Sequence, residues 1–191
     1  ICSDDIDLIE PLRAYRWVGI DKDTWRRAEK ASGLTENEAM HWHYEISVLG
    51  YKYNMNDLAA AIGLAQLNKL DRMNERRAEI IAGYLNGIKS LNTIKPIFPY
   101  EPGNGAYWYF GIRSDRRDEL IIYLKNKGIA TGVHFYPLTL QPLFRQYTAG
   151  CETAERIWKE IITMPSHPDL TDEEIDYVLD SLKSFEEGFK I

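Results

Sequence analysis

From Asn56-Asp57 to Ile88, the residues Leu58, Ile62, Ala65, Leu70, Met73, Ile80, Tyr84 and Ile88 recur near the 3.6-residue helical period. No other stretch constrains the fold as strongly. The spacing predicts one long helix, with Asn56 or Asp57 capping its first turn. Unbroken, it would run roughly 45–50 Å at 1.5 Å per residue, more than one small domain needs, so it reads as a connector between two domains. Its first turns, Ala59-Ala60-Ala61 and Gly63, have almost no side-chain bulk, and this calls for a closely packed neighbour. The charged stretch 72–79 reads as a solvated face.

Ahead of the connector, residues 1–56 read as the end of a larger domain with its loop. A short strand at Ile1-Cys2-Ser3 leads into an amphipathic stretch with Leu8, Leu12 and Tyr15 on one face, then a long irregular segment rich in Trp, Arg, Glu and His. A chain that opens in the middle of a strand is expected to be part of something longer. The connector is assigned residues 57–90, and residues 91–191 are assigned to a small C-terminal domain. There, 93–98 and 106–113 read as strands joined by a Pro- and Gly-rich loop. A helix follows, started by Asp115 with Asp118 and closed by a left-handed Gly128. Residues 129–135 read as a strand with Ala130, Gly132 and His134 on one face. Helices are predicted over 151–163 and 172–189, the latter with Thr171 and Glu174 as a capping box and Leu170/Ile175 as its staple. The expected class is α/β, with an α+β small domain: a small antiparallel sheet covered by helices.

Composition removes several functions. With 191 residues, 45% of them hydrophobic, the chain can build a full core without disulfides or metal. Its two cysteines, Cys2 and Cys151, are far apart and suit no disulfide framework or zinc spacing. Together with the lack of a long apolar run or secretory leader pattern, this makes the cytoplasm the expected location. A net charge of −6 argues against binding a nucleic-acid backbone, which needs concentrated Lys and Arg.

Two places can carry chemistry. Lys52, Tyr53, Asn54, Asn56 and Asp57 stand just before a helix N-terminus. Backbone N–H groups, an ammonium and amides there suit an anion such as a phosphate ester, although a turn with a solvated lysine is the plainer reading. His134 follows small residues on its strand face and precedes Tyr136-Pro137; it reads either as a ligand-facing imidazole or as one satisfied by a backbone carbonyl. His41 and His43 share a spacing, but no further ligand is placed to complete a metal site.

Several segments then point the same way. Residues 49–67, LGYKYNMNDLAAAIGLAQL, are close to a GYKYNMTDIQAAIGLAQL pattern. Thr131-Gly132-Val133-His134-Phe135-Tyr136-Pro137-Leu138-Thr139-Leu140-Gln141-Pro142 matches TGxHYxPLHLQP, and Ala154-Glu155-Arg156-Ile157 with residues 164–178 matches an AERI…LPxHPxLTDEEIDYV tail. The chain thereby resembles the DegT/DnrJ-type sugar aminotransferases, pyridoxal 5′-phosphate (PLP) enzymes that aminate nucleotide-linked keto-sugars. The resemblance implies the C-terminal portion of a fold-type I aminotransferase, whose Schiff-base lysine lies upstream of Ile1, so that this chain alone is expected to be inactive. It implies a homodimer, or a separate N-terminal half, in which the loop at 50–57 reaches the partner's cofactor phosphate. By that resemblance Lys52 and Asn54 are cofactor contacts, His134, Tyr136 and Tyr53 are substrate contacts, and residues 21–27 help hold the nucleotide. Glutamate is the implied amino donor, and surface polysaccharide or secondary-metabolite synthesis the setting. The second family histidine is replaced here by Thr139. A PLP-dependent sugar dehydratase of the same family, or a non-catalytic dimerisation module, would look similar over this region.

Overall fold

A computed structural model describes residues 3–20, 44, 46–147 and 150–188. The chain divides into two compact units, Ile1–Gln66 and Leu67–Ile191. The strand expected at residues 1–3 begins outside the described residues.

In the first unit, helix α1 (Ile6–Arg16) starts at Asp5, whose Oδ1 accepts from the Asp7 and Leu8 N–H groups at 3.0 and 3.3 Å. Its expected apolar face is left largely uncovered: Leu8 and Tyr15 are exposed, and Ala14 is the helix residue that is buried. Single antiparallel bridges join Trp17 to Lys52 and Ile20 to Ile46. Helix α2 (Asp57–Leu67) follows, and none of its residues is buried.

The predicted single connector is two helices. It breaks at Asn68-Lys69, and α3 (Leu70–Ile88) resumes with no side-chain cap. No Gly or Pro announces the break. Helix α3 turns Ile80, Ile81, Tyr84 and Ile88 into the core of the second unit. Strands β1 (Lys95–Pro96), β2 (Phe110–Arg113) and β3 (Ile161–Met164) form an antiparallel sheet in the order β1-β2-β3, with Phe110 opposite Met164 and Gly111 opposite Thr163. Helices α4 (Arg117–Asn126), α5 (Glu152–Ile157) and α6 (Asp172–Glu187) complete the unit, α6 packing on both α3 and α4. At Gly87 an added Cβ would stand 2.4 Å from the Leu179 side chain, so the bare glycine lets α3 and α6 approach closely.

The core gathers Phe110, Ile112, Leu120, Leu124, Ile162, Leu182 and Phe185 around the ring pair Tyr84–Phe110, stacked at 5.1 Å. Each large side chain so buried contributes roughly 1.5–3 kcal/mol of transfer free energy. Two tyrosines join it with their hydroxyls satisfied: Tyr84 donates to the Pro165 carbonyl at 2.8 Å, and Tyr100 accepts from the Gly111 N–H at 2.7 Å. Burial raises the Tyr84 hydroxyl well above its ordinary pKa and pushes Tyr100 up to about 12.

Several local expectations change. The helix predicted over 151–163 is a short α5 followed by β3, because the β-branched run Ile161-Ile162-Thr163 pairs with β2 instead of continuing a helix. Both strands predicted over 93–98 and 106–113 are shorter, and 129–135 contributes one bridge, Gly132 to Thr163. Helix α4 is capped by Arg116, not Asp115, with no capping side chain; the Arg116 N–H donates instead to Ser114 Oγ at 3.2 Å. Arg76, read as part of a solvated face, joins α3 to the start of α6, donating to the Leu170 carbonyl and to Asp172 Oδ1, both at 2.7 Å. The Thr171/Glu174 box and the left-handed Gly128, φ +76°, are present as predicted.

Candidate functional site

In the first unit the loop before α2 is strapped to the end of α1. The Tyr51 N–H donates to Tyr15 O at 2.7 Å, the Val18 N–H to Tyr51 O at 2.9 Å and the Tyr53 N–H to Arg16 O at 2.9 Å. This strapping needs two glycines. A Cβ at Gly50 would lie 2.0 Å from the Gly19 nitrogen, and one at Gly19, φ +84°, 1.8 Å from the Val48 oxygen. The backbone pairing sets Lys52 beside Trp17, and its Nζ rests 3.3 Å from the centre of the indole. Tyr51 and Tyr53 stack at 5.2 Å and border a cleft of about 600 Å³ with Ile9, Leu12 and Arg16. Asn54 Oδ1 is buried without a hydrogen-bond partner among the described residues. Asn56 is the residue that caps α2: its Oδ1 accepts from the Ala59 N–H at 2.8 Å. The predicted phosphate candidates thus share one ordered loop, with Lys52 on an indole and Asn54 holding an unsatisfied amide position.

In the second unit, the sheet edge beyond β3 carries His134. Gly132 and Thr163 exchange both backbone hydrogen bonds, at 3.0 and 2.7 Å, and the Thr163 hydroxyl lies 2.7 Å from His134 Nδ1. The imidazole partner is therefore a side-chain hydroxyl and not the backbone carbonyl weighed from the sequence. His134 meets Trp108, Tyr109 and Phe135 at ring distances of 5.3, 6.0 and 4.7 Å. Tyr136 packs edge-on to Trp158 at 4.8 Å, and Arg117 lies 5.1 Å over that same indole. Thr139 donates to Glu155 Oε1 at 2.6 Å.

Sequence reasoning missed Trp17, Trp108 and Thr163. The first two sit at ordinary apolar positions and the third was assigned to a helix. In the structure Trp108 stands just ahead of the buried run Phe110-Gly111-Ile112 and is itself 61% exposed, a difference the apolar run 106–112 does not announce. Residues 21–27, His41 and His43 lie outside the described residues. Among the described residues, no group of three or more His, Cys, Asp or Glu side chains is placed to hold a metal ion, and no helix is long and apolar enough to cross a membrane.

The sequence profile of the DegT/DnrJ/EryC1/StrS aminotransferase family matches residues 1–183. The chain belongs to this family. It is 29% identical to the spore coat polysaccharide biosynthesis protein SpsC of Bacillus subtilis, over 98% of this chain and 49% of that protein. To the protein MJ1066 of Methanocaldococcus jannaschii it is 33% identical, over 96% of this chain and 48% of that one. Among solved structures, Spr1654 of Streptococcus pneumoniae in its PMP form superposes with a TM-score of 0.81 at 27% identity, covering 97% of this chain and 46% of that one. The aminotransferase TlmJ of Streptoalloteichus hindustanus gives 0.80 at 23% identity, covering 100% of this chain and 48% of TlmJ. The chain thus spans about half the length of the relatives it matches. Its helices and small antiparallel sheet have the fold of the C-terminal part of the fold-type I aminotransferases.

Proposed function

We propose that this chain is the C-terminal half of a PLP-dependent aminotransferase that transfers an amino group from glutamate to a nucleotide-linked keto-sugar, in the cytoplasm, for a surface polysaccharide or a secondary metabolite. The observation that carries the reading is the loop before α2, which offers the Lys52 ammonium and, two residues on, an unfilled hydrogen-bonding position at Asn54.

The residues present fit the phosphate end of such a cofactor. The two ends of a terminal amide exchange by rotation about one bond, so the unpartnered buried position at Asn54 can offer an N–H to a phosphate oxygen. Moving the Lys52 ammonium off the Trp17 ring gives up about 0.5–1 kcal/mol. A charge-assisted hydrogen bond to phosphate returns about 1.5–3 kcal/mol, so the exchange favours the anion. When bound, the cofactor supplies an electron sink at the carbon that gains or loses nitrogen. This chain's share is orientation: Lys52 and Asn54 hold the phosphate, while His134, Tyr136 and Tyr53 contact the substrate. In this reading the lysine that binds the cofactor covalently belongs to the other half of the enzyme. A homodimer in which the loop serves the partner's cofactor is supported by the exposure of Tyr51, Tyr53, Met55 and every residue of α2 except the half-buried Ala60.

The test supplies the upstream half together with this chain and measures PLP retention. Capture of the cofactor by the pair is expected, and Lys52→Ala is expected to weaken it roughly tenfold, the value of one lost charge-assisted contact, with unfolding unchanged. Unaltered affinity rejects the phosphate role. Failure of the two halves to capture PLP rejects the aminotransferase reading. His134→Ala is expected to lower sugar turnover in soluble, folded protein; insoluble protein would make His134 a structural residue.

A further inference from the structure

We propose that Trp158, seated by Arg117, is a positioning residue that sets the pose of the Tyr136 ring. The inference deepens the function proposed above and rests on it for Tyr136 as a substrate contact; Trp158 and Arg117 act through that ring.

Helix α5 is six residues long, too short to hold itself in water, and it ends at Trp158. It reaches one loop twice. The Trp158 indole meets Tyr136 edge-on, ring centres 4.8 Å apart at 73°, and Glu155 accepts from the Thr139 hydroxyl at 2.6 Å. Arg117, 6% exposed, has its guanidinium carbon 5.1 Å from the centre of the same indole, and its Nη1 donates to the Trp158 carbonyl at 3.3 Å. Stability accounts for neither residue. Arg117 buries a cation in the first turn of α4, the end of a helix that repels positive charge. Its carboxylate neighbour, Asp118, lies 2.6 Å from Nε but is 83% exposed and out of line for a hydrogen bond. Trp158 keeps its Nε1 buried with no hydrogen-bond partner among the described residues, and it belongs neither to the core cluster nor to the residues packed on it. Local costs of this kind gather where a geometry is being held. What the arrangement holds is one seat for Tyr136. The Arg117 hydrogen bond fixes the last carbonyl of α5, at the end of that helix where a cation is favourable. Its planar guanidinium settles the indole, and the edge-on contact passes that orientation to a phenol ring that stays 41% exposed. One such aromatic contact shifts the population of a ring pose by about 2- to 12-fold.

The first measurement is NMR of the 191-residue chain with labelled tyrosine. Trp158→Leu is expected to move the Tyr136 ring signals, which lie in the indole ring current, and Trp158→Phe to keep most of the wild-type pattern. Arg117→Lys keeps the charge and loses the planar stack, so it is expected to move the Trp158 indole signal; an unmoved indole would remove Arg117 from the proposal. The second measurement is the affinity of this chain, paired with the other half of the enzyme, for UDP-N-acetylglucosamine. Trp158→Leu is expected to weaken it about 2- to 12-fold and Trp158→Phe to restore it. Adding Trp158→Leu to Tyr136→Leu is expected to cost nothing beyond Tyr136→Leu alone, whereas a residue that only packs would give an additive loss. The proposal is overturned by wild-type Tyr136 signals in Trp158→Leu, by additivity, by unfolding of Trp158→Leu at room temperature, which would make the indole a core residue, or by no binding of the sugar nucleotide, which would leave Tyr136 nothing to be posed for. PLP capture by the two halves reads the earlier proposal separately. Capture with unmoved Tyr136 signals sinks the positioning role alone, whereas moved signals and non-additive sugar-nucleotide binding without capture sink the aminotransferase reading alone.

Discussion

The two units of this chain differ in what they keep from water. Leu67–Ile191 encloses a continuous core in which Ile80, Ile81, Tyr84, Phe110, Ile112 and Leu182 are fully buried. In Ile1–Gln66, the buried apolar residues among those described are Ala14 and Ile20, while Leu49, Met55, Leu58, Ile62 and Leu64 stand 64–86% exposed. Their apolar content is comparable, so composition does not separate them. What separates them is whether the partners of an apolar face are encoded in the same unit. The first unit holds its backbone in place with hydrogen bonds and two close-packed glycines; the second does so with side-chain volume.

That contrast can be broken by substitution. Phe110→Ala removes a ring packed on Tyr84 and Tyr100, and is expected to cost about 3–5 kcal/mol in chemical denaturation; a loss near 1 kcal/mol would mean that the core is looser than drawn. Alkaline pH is next. Tyr84 and Tyr100 have raised folded-state pKa values, so the stability they hold is fully present below the unfolded value near 10 and is lost as pH rises toward the folded values. Unfolding midpoints should therefore be level from neutral pH to about 9 and fall above about 10, by up to about 1.4 kcal/mol per pH unit for each hydroxyl. Tyr100→Phe should flatten that fall, and an unchanged slope would rule out its part. Thr171→Ala, which deletes the capping hydroxyl of α6, is expected to cost about 1 kcal/mol. Smallest of all, Leu58→Ala in the first unit should change the stability of the isolated chain by less than about 0.5 kcal/mol. A loss comparable with that of Phe110→Ala would show the helix already enclosed.

What could be read in advance follows the same division. The capping box of α6, the left-handed turn after α4 and the inward face of α3 were legible, because each depends on residues a few positions apart. Strand β3 was not. Its four residues continue an apolar helical pattern, and only pairing with β2, some fifty positions away, selects the extended form. The break at Asn68-Lys69 has only Asn68 as a local marker, a residue type that ends helices less decisively than Gly or Pro. At the candidate site, Lys52, Asn54 and His134 stood out by residue type beside a helix start or a bare strand face. Trp17 and Thr163, which touch two of them, are ordinary residues brought there by backbone pairing.

Helix α2 has a further consequence for handling the molecule. Between Asp57 and Gln66 it has no charged or amide side chain, so it has no wet side to turn outward. A flat neighbour could shield one flank and would leave the opposite flank bare. Whatever accommodates this helix must wrap it, as a socket holds a peg, and until it does the rod will set the concentration at which the free chain stays dispersed.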